Sequence, residues 1–148
     1  MPFPWSGRDL QKLSAAAMSA LLLTSAAKHF REPEFFHPLV PDIICRDDSG
    51  EQPNGPLAVL SREEWVAATG LLESAAAVGL LIPATRRAAA GCVTALFTAF
   101  LSGHVDALRK AYGPRGTPMR RRVHTLRLPL QAPLIAWAWT LTRRNWRP

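Results

Sequence analysis

Cysteine is scarce in this chain: Cys45 and Cys92 lie far apart and belong to no Cys-x-x-Cys pair. A disulfide relay or thioredoxin-like chemistry therefore has no support in the sequence. Also missing are a phosphate-binding P-loop, a His-Glu-x-x-His zinc helix, a Gly-x-Ser-x-Gly nucleophile turn and a dinucleotide-binding glycine fingerprint. No Cys or second His falls within a helical turn of His29 or His104, so no metal site is expected. Internal repeats are absent. Acids are few, 11 against 18 Lys and Arg, and the pI is near 10.7. The Arg120-Arg121-Arg122 run invites a nucleic-acid reading. Beside an apolar span, such a run more often touches phospholipid headgroups or is simply solvated, so no nucleic-acid partner is expected.

What the chain does have is one long stretch, Trp65 to Ile82, with a single charge, Glu73, in its middle. As a helix it reaches roughly 27 Å, close to the ~30 Å hydrocarbon core of a bilayer. It ends at Pro83, and Arg86-Arg87 follow as a cationic stop. Three further apolar runs, Leu13 to Ala27, Ala88 to Gly103 and Leu128 to Thr142, are shorter and need flanking residues to complete a span. They lack the polar stripe of a soluble surface helix. Trp5, Trp65, Trp137, Trp139 and Trp146 flank the runs, where interfacial aromatics sit. A mean hydropathy of +0.01 averages these runs with two polar connections. The alternative with the same helix lengths is a soluble bundle. No cleavable signal peptide is expected, because the first run continues into a structured-looking segment.

These patterns predict an all-α, integral membrane four-helix bundle, up-down-up-down, forming a single domain over 1–148. Its helices are expected at about 10–29, 61–82, 85–108 and 126–143, with polar loops at about 30–60 and 109–125. Ser61-Arg62-Glu63-Glu64 has capping-box spacing at the start of helix two. The Pro-rich segment after helix one is expected to alternate extended pieces with short helical turns, because residues before proline avoid the helical region.

Glu73 is the sharpest candidate site. A carboxylate at mid-depth is costly in lipid and should face protein. Thr69, Gly70, Ala76 and Ala77 share its helix face and leave room for a neighbouring helix. Arg127 and Gln131 lie one turn apart on helix four, on the side of the membrane where helices one and three end. A polar network of His29, Glu73, Arg127 and Gln131 is thus geometrically allowed. The plainer readings are a packing hydrogen bond for Glu73, a cap on the end of helix one for His29, and solvation for His104 and Asp106.

Several pieces recur together in order: His29-Phe30, Pro33-x-Phe35-Phe36 and Val40-Pro41; Trp65-Val66 and Gly70-x-x-Glu73; Gly79 to Pro83 with Thr85-Arg86-Arg87-Ala88-Ala89; and Leu126 to Gln131 with Leu134-Ile135-x-Trp137-Ala138. This order resembles the DoxX-like family of small four-helix bacterial membrane proteins. The chain departs from that pattern at Leu101-Ser102-Gly103-His104, where relatives tend to show Pro-Ala-Asn. The resemblance implies a multi-pass protein of the bacterial inner membrane without a defined activity. Some relatives are membrane subunits linked to sulfur-compound or thiol oxidation with quinone as acceptor. Two functional classes follow. One is a non-catalytic membrane subunit or scaffold, with the lipid bilayer and a membrane or peripheral redox protein as partners and no evident cofactor. The other is a small carrier or enzyme that binds a quinone-like apolar molecule between helices, with Glu73 and His29 as candidate catalytic groups in proton exchange.

Overall fold

Side chains close helix starts at Ser61 and at Ser6, the former as its capping-box spacing predicts. The Ser61 hydroxyl accepts from the Glu64 N–H at 3.2 Å, and the Glu64 carboxylate accepts from the Ser61 N–H at 2.7 Å. Ser6 and Asp9 form the same box at the first helix. A computed structural model describes residues 6–49 and 54–143. Among them are the helices α1 (Gly7–Arg31), α2 (Arg62–Leu81), α3 (Arg86–Tyr112) and α4 (Pro118–Leu141), and the only strand-like feature is an isolated bridge between Cys45 and Leu60. The fold is all-α. Trp5, Trp146 and the basic tail beyond Arg143 lie outside the described residues.

Residue pairs show how the helices meet. Ser19 bonds the Ala77 carbonyl and His29 the Val66 carbonyl, while a Cβ on Gly79 would touch Ala89. His104 meets Gln131, and Tyr112 meets Thr125. Numbers rise along each helix as they fall along the next. α4 returns to α1, with the Trp137 indole donating to Ser14 at 2.7 Å.

The interior divides along the bundle axis. At one end Met18, Leu22, Leu80, Val93, Phe97 and Leu141 form an apolar core, separated by small alanines. At the other end buried polar side chains, His29, Glu73, His104, His124 and Gln131, stand among Ala26, Val66, Ala107 and Ala111. The 32–61 connection covers that polar end with three short 3-10 turns, Pro33–Phe35, His37–Leu39 and Asp42–Ile44. Trp65 donates its indole N–H to the Ile44 carbonyl at 2.8 Å, so it fastens this connection to α2.

Two boundaries differ from the sequence expectation. α4 begins at Pro118 rather than near 126, and α3 continues to Tyr112 rather than stopping near 108. The start signal is local: Thr117 accepts from the Arg120 N–H at 3.2 Å, and Pro118 takes the first helical position, where its missing N–H costs nothing. The polar loop expected over 109–125 therefore shrinks to 113–117, and Arg120 to Arg122 lie on the first turns of α4. Only α2 and α3 are both long and apolar enough to cross a membrane; α1 and α4 have the length.

Candidate functional site

Glu73 sits in the polar end of the bundle, 2% exposed, and the group that faces it is His29. His29 Nε2 lies 3.6 Å from Glu73 Oε1. The other ring nitrogen, Nδ1, is 2.8 Å from the Val66 carbonyl oxygen. A carbonyl only accepts, so Nδ1 carries the hydrogen and donates across to α2. His29 therefore does not cap its own helix, as the sequence suggested; it ties α1 to α2. Nε2 is left as the ring atom turned toward the carboxyl group. Neither His29 Nε2 nor Glu73 Oε2 has a hydrogen-bond partner among the described residues. The Nε2···Oε1 approach is longer than a hydrogen bond, so the two polar groups face each other in the interior without a direct bond between them.

Backbone sterics make this contact possible. A Cβ on Gly70 would lie 2.8 Å from the His29 Cβ, so only glycine at this position lets the imidazole seat against α2. The connection then closes the site from outside. The Phe36 ring stacks on the His29 imidazole with centroids 3.6 Å apart, and Phe35 meets Phe36 edge-on at 5.2 Å. Phe35 is held between two cations, with Lys28 Nζ 3.8 Å and Arg127 Cζ 4.3 Å from its centroid.

The network expected from the sequence is thus divided. His29 and Glu73 come together, but Gln131 and Arg127 do not join them. Gln131 Nε2 pairs with His104 Nε2 at 2.8 Å in a separate buried contact between α3 and α4. Arg127 is half-buried over Phe35 and connects to the pair only through the aromatic rings. His104, read as solvated, is buried, and Asp106 bridges to Lys110 at 2.8 Å. The signal that was available for His104 is its spacing from Gly103. A Cβ on Gly103 would overlap the Leu39 carbonyl, so the connection docks on α3 one residue before His104.

Charged groups pin the connection at the rim. Asp42 receives Lys110 at 2.8 Å and Arg62 at 2.5 Å, and Arg62 also donates to the His37 and Val40 carbonyls, both at 2.7 Å. The Lys110 bond, with help from Arg62, holds the Asp42 carboxyl below its usual range despite partial burial. Burial pushes the nearby Cys45 thiol up, which leaves it a poor nucleophile. Among the described residues, no three His, Cys, Asp or Glu side chains group as a metal site.

A family model described as "Domain of unknown function (DUF8561)" matches residues 18–142, which takes in the His29–Glu73 pair and most of all four helices. No curated protein and no solved structure matches the chain.

Proposed function

The chain belongs to the DUF8561 family, and from that premise we propose that it is a multi-pass inner-membrane bundle, up-down-up-down, serving as a non-catalytic subunit or scaffold for a membrane or peripheral redox protein. The observation that carries the membrane part is an inverted distribution of polarity. Leu71 and Leu72 are 63% and 58% exposed, while Glu73, the next residue, is 2% exposed. Leu21 and Leu23 on α1 and Leu126, Leu130 and Trp139 on α4 also face outward, and His29, His104 and Gln131 face inward. Water would favour the reverse; lipid around the helices makes the exposed leucines favourable and confines ionisable groups to the interior.

Support for a subunit rather than an enzyme comes from how the pair is sealed. Phe36 covers one face of the imidazole, and neither of two surface cavities at the rim is lined by Glu73 or His29. Phe36 occupies the imidazole face on which a quinone-like ring would stack, so no step is assigned through such a molecule. The second reading, a carrier or enzyme using Glu73 and His29 in proton exchange, draws on the unpartnered His29 Nε2 and Glu73 Oε2, and it requires Phe36 to leave the ring.

Two measurements test these readings. Carbonate washing of a native membrane fraction should leave the protein in the pellet; its release into the wash would overturn the membrane reading. Purification of the native complex in mild detergent should bring down a redox protein in fixed proportion. A protein that purifies alone and carries a bound quinone instead supports the second reading.

A further inference from the structure

A second polar feature lies at the rim, away from Glu73. A cavity of about 370 Å³ opens where the 32–61 connection, the end of α3 and the first turns of α4 meet. Its lining includes His37, Asp42, Arg62, Lys110, Arg120 and His124. Three cations face it against a single carboxylate. Asp42 already bonds Lys110 and Arg62, and Lys110 also reaches Asp106. The Arg120 guanidinium has no partner among the described residues.

The histidines point the same way. His124 is 7% exposed, yet its Nδ1 has no hydrogen-bond partner. His37 Nε2 is likewise buried and unpartnered. Leaving buried polar nitrogens unmatched costs free energy, so their presence along one positively charged cavity calls for a polar partner from outside the chain, and the surrounding cations favour an anionic one.

We propose that this cavity binds a phosphoryl oxyanion. Arg120 and His124 donate to its oxygens, His37 donates from the connection side, and Lys110 and Arg62 add positive charge behind them. Donors on three elements suit a tetrahedral group with several acceptor oxygens better than a planar carboxylate with two. The volume is in the range of small-molecule sites, ~300–1,000 Å³. Phosphoryl oxygens are supplied equally by a lipid headgroup and by a free phosphate. The site itself does not depend on the helices crossing a bilayer.

The test uses the full chain in dodecyl maltoside micelles, which carry no phosphate, at constant ionic strength, with thermal unfolding as the readout. One arm titrates inorganic phosphate against chloride; the other adds phosphatidylglycerol to the micelles. Binding to the folded state should raise Tm saturably. Arg120→Gln should weaken that binding about tenfold or more, the effect of losing one charged hydrogen bond. Arg122→Gln, on the same helix but not in the cavity lining, should leave it unchanged. Because Arg120 has no partner to lose, its variant is expected to fold. A response in the phosphate arm identifies a free phosphate, and a response confined to the phosphatidylglycerol arm identifies a headgroup. No saturable response in either arm overturns the proposal. So does equal weakening by both variants, which would mean diffuse charge and no built site.

Discussion

Two glycines on α3 separate backbone propensity from tertiary docking. Gly91 has nothing within 4 Å of an added Cβ, whereas a Cβ on Gly103 would lie 3.0 Å from the Leu39 carbonyl carbon and closer still to its oxygen. Carbon atoms prefer about 3.5–4.0 Å, so Gly103→Ala forces the connection back by roughly 0.5 Å or more. In either position alanine gains about 0.5–1 kcal/mol of helix propensity. At Gly91 that gain stands alone. At Gly103 it is opposed by overpacking, typically ~1–3 kcal/mol, and the upper end applies because a backbone carbonyl must move. The net is a loss of about 2 kcal/mol, equivalent to a Tm lower by roughly 4–8 °C for a chain of this size. Phe36 travels with Leu39, so the same variant should expose His29. Thermal unfolding in detergent and limited proteolysis of the 32–61 connection report the two effects. Gly91→Ala should match or exceed wild type in both. If the two variants melt together and are cut at equal rates, the connection is not seated on α3 and the closure of the His29–Glu73 site is wrong.

Glu73→Gln should accumulate in membranes like wild type, because the amide keeps the shape and can donate to His29 Nε2. Glu73→Leu should accumulate less, as a buried nitrogen left unmatched costs about 1–3 kcal/mol; equal levels of both variants, measured by quantitative blotting, would show that the carboxyl is not a packing contact. The Asp42 carboxyl is held below its ordinary value, 3.8, so its contribution is complete above that pH and is lost as pH falls through the lower folded value. Proteolysis of the connection should therefore accelerate below about pH 4, and Asp42→Asn should show the faster rate at neutral pH with little further change on acidification. The side chain is 67% exposed, so the effect is modest and should fade in high salt.

Much of the local structure was readable in the residues. Ser61 with Glu64 three positions on marks the start of α2, because capping is a contact within one turn. Glu73 among small residues marked itself as inward-facing, since an apolar helix cannot leave a carboxylate toward lipid or toward its own apolar neighbours. The Pro- and aromatic-rich segment was expected to break into short turns, and it does so at Pro33–Phe35 and His37–Leu39. Thr117-Pro118 was also a legible helix start, but the glycines and arginines around it weighed toward a loop.

Partnership was decided only in three dimensions. Arg127 and Gln131 are one turn apart and share a helix face, which left either free to meet Glu73. The tertiary structure sends Gln131 to His104 across α3 and places Arg127 on Phe35, a residue of the connection. Periodicity fixes which side of a helix a residue occupies, but not which neighbour lies opposite. That depends on how far each helix slides and how closely backbones approach. Here those distances are set by Gly70 admitting His29 and Gly103 admitting Leu39, two contacts between segments about 40 and 60 residues apart in the chain.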